Sequence, residues 1–358
     1  MLIPETFFLK SNLKNGYLNY FFAVLISFFI FILATFSNLI AEFKNLNFFN
    51  NSFFHEKAIS LISLPRFQLL ILFAPILSIT LGEVIYNLLR KKKLFDNLSI
   101  SKIRSSQGYK FADIWYFIFS HLTLKFRFLL GIISFGYSYF SDSAKAYIQI
   151  NLQKYSIFDH SSFIVAILAI LFLDFSAYIS HRIQHGFPLM WSLHEFHHSA
   201  TEMTIFSNSR RTVLEDLYSI LLIPFPVVGG FILAQFLQSS SYSAFIFLLF
   251  YYAYSSFSGD VAHSSFRVVY PKWLSFILMS PSLHWIHHSS NPKHFNKNFG
   301  TFFTFWDKLF STYLGEKHLE DVKEFGIKDS RYNKSHPINS FFIIPINIVL
   351  KKIKIFFI

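Results

Sequence analysis

The chain has 358 residues, of which 53% are hydrophobic and only 15% charged, with a mean hydropathy of +0.41. That composition excludes an ordinary soluble domain and predicts an all-α, multi-pass transmembrane helical bundle. The net charge of +12 sits at the ends of apolar runs, as lipid headgroups favour rather than nucleic acid, and the lack of cysteine excludes disulfides, thiolate metal sites and thiolate-bound haem.

Taken in chain order, Leu18 to Leu39 is an uncharged stretch long enough to span a bilayer core. The N-terminus lacks a short apolar run with a small-residue cleavage site, so this first span is expected to be retained. Gln68 to Leu89, carrying only Glu83, is a second candidate. Arg90 to Lys93, with Lys102, Arg104 and Lys110, then marks the cytoplasmic side and places the N-terminus inside as well. Phe111 to Phe140 holds His121, Lys125 and Arg127 near its middle and reads as one tilted span or two interfacial helices. If it crosses once, Ser161 to Ser180 returns inward and His181 emerges on the cytoplasmic face. Leu214 to Leu237 and Tyr242 to Ser258 form a hairpin of spans, kinked at Pro224, Pro226 and Gly229-Gly230. An odd number of crossings there would separate the His clusters by a membrane. Pro271 onward is expected to be cytoplasmic, and Ser340 to Ile358, interrupted by Lys351, Lys352 and Lys354, to be an amphipathic surface helix. These regions, N-terminal helices at 1–160, a His-rich region at 161–315 and a tail at 316–358, read as one integrated domain.

The chemistry concentrates between Asp174 and His288. Asp174, Tyr178, His181 and His185 stand at offsets 0, +4, +7 and +11, one face of a helix. After a Gly-Phe-Pro break, His194, His197 and His198 follow at 0, +3 and +4, and His284, His287 and His288 repeat that spacing. Grouped neutral imidazoles at helical spacing point to metal binding, since they would repel one another once protonated. With His263 after the hairpin they exceed what one metal uses, so two metals are the economical inference. Two irons held by neutral nitrogen can reduce O2 and attack an unactivated C–H bond, which zinc cannot. A metal pair at the membrane face suggests a lipid substrate.

These motifs resemble the fatty acid hydroxylase superfamily, which includes sterol desaturases and alkylglycerol monooxygenase. Trp191 to Ala200 is similar to its second box, with Met190 inserted before Trp191. Ser280 to Gly300, ending in Asn-Phe-Gly, is similar to its third, and Phe305 to Tyr313 to its closing segment. The resemblance implies metal ligands at His181, His185, His194, His197, His198, His284, His287 and His288, joined by His263, with Asp174 accepting from a ligand imidazole. His294 matches a position often occupied by His in bacterial relatives, and its role stays open. Ser311 stands where Gly usually precedes Thr-Tyr, and Arg210-Arg211-Thr212-Val213 departs from an Arg-x-His-Pro pattern. The implied activity is hydroxylation or desaturation of a lipid by two non-haem irons. No haem-binding element of a fused cytochrome b5 is present, so a separate electron-transfer protein or a pterin would supply electrons.

Two rival readings remain. His194 to His198 also fits His-Glu-x-x-His, the motif of a zinc metalloprotease with Glu195 as general base, here within a membrane. It leaves the other two clusters without a purpose. A metal transporter would line a path through the bilayer, whereas these clusters sit at span ends.

Overall fold

The computed structural model describes residues 77, 79–88, 93, 111–122, 162–215, 258–264, 268–328 and 331–356. The expected spans at Leu18 to Leu39 and Tyr242 to Ser258, and most of those at Leu214 to Leu237 and Phe111 to Phe140, lie outside them. Among the described residues the chain is helical, with two isolated bridges, Leu278 with Phe303 and Ser289 with Phe325, and no strand.

Five helices position the site: α1 (Ala112–Leu122), α2 (Ser162–Gly186), α3 (Pro188–His194), α4 (Pro281–His287) and α5 (Ile344–Phe356). Among the described residues no helix is long and apolar enough to cross a membrane. The 25-residue α2 carries one charge, Asp174, before Arg182, and its second half adds Gln184 and two His. The inward-returning span expected at Ser161 to Ser180 falls on this helix from Ser162 onward, and the helix continues past Ser180 into the polar site.

Prolines set the helix starts. Phe187 is extended (φ −117°, ψ 129°) and so is Ser280 (φ −79°, ψ 148°), because a residue before proline is pushed out of the helical region, while Pro188 and Pro281 open α3 and α4. The chain thus folds back sharply between α2 and α3, which pack against each other.

Two apolar clusters brace this arrangement. Tyr116 of α1, Phe196 after α3, Tyr332 and Phe341 pack together, with Ile344 and Ile348, one turn apart on α5, closing over them. Met279, Leu283 and Ile286 of the α4 region pack with Leu319 and Val322. The surface helix expected at the C-terminus forms as α5 after a wide turn at Asn339–Ile343, with Lys351 and Lys354 exposed. One of its faces packs on the protein rather than lying free, and Ile346 and Leu350 form a second apolar face that is exposed.

Candidate metal centre

Helix α2 projects His181 and His185 from one face, one turn apart. Helix α3 ends at His194, and a turn at Glu195-Phe196 leads into the 3-10 turn His197–Ser199, so the second cluster spans a helix end rather than a continuous helix. Helix α4 carries His284 and His287, with His288 as its C-cap. His263 closes a helical turn, its amide donating to Gly259 O at 3.2 Å.

The rings sort into two groups, each with potential ligand atoms within 4.8 Å of one another: His181, His185, His194, His198 and His287 in one, and His197, His263, His284 and His288 in the other. Adjacent residues part company, His197 from His198 and His287 from His288. All nine sequence-predicted imidazoles are thereby brought together.

The nitrogen spacing tests whether a metal fits. His263 Nε2 lies 3.1 Å from His197 Nε2 and 3.2 Å from both His284 Nε2 and His288 Nε2, and His284 and His288 approach to 3.0 Å. Around one ion with bonds of about 2.1 Å, neighbouring donor atoms stand about 3.0 Å apart in octahedral and about 3.4 Å in tetrahedral geometry. Hydrogen bonding does not explain the convergence. His263 Nδ1 lies 2.7 Å from Gly259 O and donates to it, which leaves Nε2 a bare lone pair facing three other nitrogens. In the five-membered group, Nε2 of His181, His185 and His287 is buried without a partner. Such orphaned acceptors are costly unless a cation binds them.

The outer nitrogens are tied down, as second-sphere contacts to metal-bound His usually are. His181 Nδ1 donates to Phe299 O at 3.0 Å and His287 Nδ1 to Lys297 O at 2.7 Å. His194 Nδ1 donates to Glu215 Oε1 at 2.9 Å, both side chains being buried. Sequence reading missed Glu215, which has no spacing relation to His194. It assigned that kind of role to Asp174 instead, and here the structure corrects it. Asp174 accepts from Phe302 N (2.9 Å), Phe303 N (3.1 Å) and Trp306 Nε1 (3.0 Å). Seven residues from His181, it lies about 10 Å away along the helix axis, out of reach of the ring. It pins the loop whose carbonyls orient the imidazoles.

That loop accounts for the Asn-Phe-Gly ending of the third box. Asn298 adopts φ +57° and its side chain bonds Leu283 O, Leu314 O and Leu314 N, fastening the loop to α4. Asp307 accepts from the amides of Phe299 and Gly300 and from Thr312 Oγ1. A Cβ on Gly300 would stand 2.6 Å from Phe303 O, so only glycine fits. Ser311 adopts φ +59°, the left-handed region that explains the usual Gly there.

Burial keeps the rings neutral. It pushes His181 and His263 down to about 4, with carbonyl hydrogen bonds opposing, and holds the other seven well below the ordinary range. Neutral imidazole is the ligating form. Arg210, fully buried, pairs with Asp113 Oδ1 of α1 at 2.7 Å and reaches Ser199 Oγ and Asn333 Oδ1, tying the turn that carries the second cluster to α1 and to the segment at Asn333.

A cavity of about 580 Å³ opens beside both groups, lined by His181, His194, His197, His263 and His284. Leu173, Ala177, Ala262 and Met279 give it an apolar strip, and Asn208, Arg211 and Glu215 a polar one. Glu195 is turned elsewhere, accepting from Tyr332 Oη at 2.7 Å, which is poor placement for a protease general base. His294 joins neither imidazole group.

Helices carrying two convergent all-nitrogen donor groups define a histidine-box protein. Residues 166–312 match the profile of the family described as fatty acid hydroxylase, and this part of the chain belongs to it. The chain is 29% identical over 161 residues to alkylglycerol monooxygenase of Caenorhabditis elegans, covering 45% of this chain and 29% of that protein. It is 29% identical over 184 residues to human alkylglycerol monooxygenase (48% and 34%). Over 149 residues it is 28% identical to ornithine lipid hydroxylase OlsE of Rhizobium tropici (41% and 41%). The chain thus spans well under half the length of these relatives. No solved structure matches it.

Proposed function

We propose that this chain is a membrane-bound oxygenase that uses two irons, O2 and external electrons to oxidise a C–H bond of a lipid. The observation that carries the reading is the partition of nine neutral imidazoles into two groups that meet at one cavity. His181, His185, His194, His198 and His287 would hold one metal, and His197, His263, His284 and His288 the other. Iron bound there would supply O2 activation, which a redox-inert ion cannot.

The chain's own residues do the rest. Glu215, Phe299 O and Lys297 O keep the proton on Nδ1 of their partner rings, so that Nε2 stays free to ligate. The apolar strip accepts a hydrocarbon segment and excludes water from the reacting carbon. Asn208 and Arg211 meet the polar end of the substrate. Hydroxylation consumes O2, two electrons and two protons, placing one oxygen in the new C–O bond and the other in water. The electrons come from a separate protein or a pterin. The alkylglycerol and ornithine lipid named for the relatives support a substrate with a polar head and a long chain. The site faces the cytoplasm on this reading, with the apolar stretches outside the described residues crossing the bilayer.

The test is metal and product analysis of the purified full chain. Two irons per chain and an O2-dependent gain of one oxygen in a cellular lipid are expected. Glu195→Gln should keep both irons and leave activity within about threefold, because its carboxylate faces Tyr332. A single zinc without iron, and a metal-replete but inactive Glu195→Gln, would replace this reading with the protease.

A further inference from the structure

His294 lies beyond His288 on a 3-10 turn, Pro292–His294, and is fully buried, yet neither ring nitrogen has a hydrogen-bond partner. A neutral imidazole carries one donor and one acceptor, and burying both unmet is a cost that a folded chain avoids. Its neighbours suggest what meets the acceptor. His318 and Asp321 stand three residues apart on the 3-10 turn Glu316–Asp321, where side chains at that spacing project together. His318 Nδ1 lies 3.3 Å from Asp321 Oδ2, and a potential ligand atom from each of His294, His318 and Asp321 falls within 4.8 Å of the others.

We propose that His294, His318 and Asp321 form a further metal site, separate from the nine-imidazole centre, that takes one zinc-like divalent cation. Two imidazole nitrogens and one carboxylate oxygen, with water completing the shell, are a donor set for zinc and its borderline neighbours, whereas calcium and magnesium prefer oxygen alone. A plain ion pair between His318 and Asp321 would leave the lone-pair nitrogen of His294 unexplained.

The scaffold is already closed around this place. Asn291 Nδ2 donates to Asp321 O (3.3 Å), Ser290 N donates to Glu324 O (3.0 Å), and Ser289 bridges to Phe325. The cation would therefore staple the segment after α4 to the Glu316–Asp321 turn. Between His294 and Gly300 runs the loop that offers Lys297 O and Phe299 O to His287 and His181. The site is thus a structural anchor at the entry of the loop that orients the larger centre.

Zinc is the probe. Metal-stripped full chain is equilibrated with zinc at fixed free concentration near pH 7.5, and bound zinc per chain is measured together with the thermal midpoint. His318→Ala and Asp321→Ala are each expected to bind one zinc fewer than the intact chain and to lose part of its zinc-induced rise in midpoint. Both positions face solvent, with side chains 32% and 54% exposed, so the substitutions leave the fold in place, checked by circular dichroism. His294→Ala is expected to show the same deficit. Because the result is a difference between chains, it stands whatever the larger centre binds. Equal zinc content in the intact chain and the variants would overturn the proposal, as would a lowered midpoint that is the same with and without zinc.

Discussion

The five-imidazole and four-imidazole groups are built from the same residue type and both lie mostly buried, yet they are held in different ways. Around the first, Phe299 O, Lys297 O and Glu215 grip outer nitrogens, inner ones on His181, His185 and His287 are left bare, and one inner pair, His194 Nε2 and His198 Nε2, approaches to 3.2 Å. In the second, His263 alone among the hydrogen bonds described reaches a carbonyl, His197 Nδ1 is buried without a partner, and the inner nitrogens crowd to 3.0–3.2 Å. A set of rings braced from outside keeps its shape when empty. A set in which all four inner nitrogens crowd one another depends more on a cation to keep its shape. The four-imidazole group should therefore depend more on its metal, and the five-imidazole group more on its surroundings.

The largest effect that could break this contrast is removal of a hub. His263→Ala deletes the ring whose Nε2 faces three others. It is expected to empty the four-imidazole group and to lower lipid oxidation by more than about 100-fold, beyond the range seen for losing an outer partner. His287→Ala leaves four braced imidazoles in the other group and should lower activity while keeping both irons bound. Iron analysis of the two variants decides the matter, and equal metal loss in both would remove the distinction.

The histidine boxes were legible because helical spacing repeats: His181 and His185 are one turn apart on α2 as read, and so are His284 and His288 at the end of α4. The sorting into groups was not. His197 and His198 lie on a 3-10 turn where successive side chains diverge by about 120°, so one ring joins each group, and His287 and His288 divide in the same way. The second and third boxes each serve both groups, while the first box serves one and His263 the other. Asp174 shares a face with His181, which sequence shows, but face-sharing does not give axial distance. The Arg210–Asp113 pair joins residues 97 apart and leaves no periodic trace. The helical class was legible in composition, and the polar second half of α2 was legible residue by residue.

Acid should strike the two groups together and so sharpen what is common to them. His181 in one and His263 in the other have values lowered by burial to about 4, against 6.5 for an exposed ring. Below 6.5 the unfolded chain takes up protons that the folded rings refuse, so the neutral rings' contribution to stability is complete above that pH. It declines as pH falls towards 4, by roughly 3 kcal/mol for each such ring. The metal-free chain is expected to lose thermal stability steadily from pH 6.5 to 4. The metal-loaded chain should resist until protons compete for Nε2 and then release both irons in one step. Release in two separate steps would mean that the groups do not share a fold-level transition.

The smallest expected effect is the one most specific to the difference between the groups. Glu215 reaches the five-imidazole group through His194 Nδ1 at 2.9 Å. Glu215→Gln keeps an acceptor oxygen near His194 but removes the charge that makes the ring a stronger donor to metal, and it leaves Arg211, 3.6 Å from the same oxygen, facing a neutral amide. Carboxylates in this position typically contribute 10- to 100-fold in metal affinity. Titrating iron into the stripped variant should therefore give one binding step weakened by about tenfold and one unchanged, while the intact chain shows both strong. Glu215→Ala, which also removes the acceptor, should weaken the same step further and lower thermal stability by about 1–3 kcal/mol, because the donor on His194 is then buried unmet. If both steps weakened equally, the electrostatic influence of Glu215 would extend across the whole centre, and the two groups would have to be treated as one coupled site.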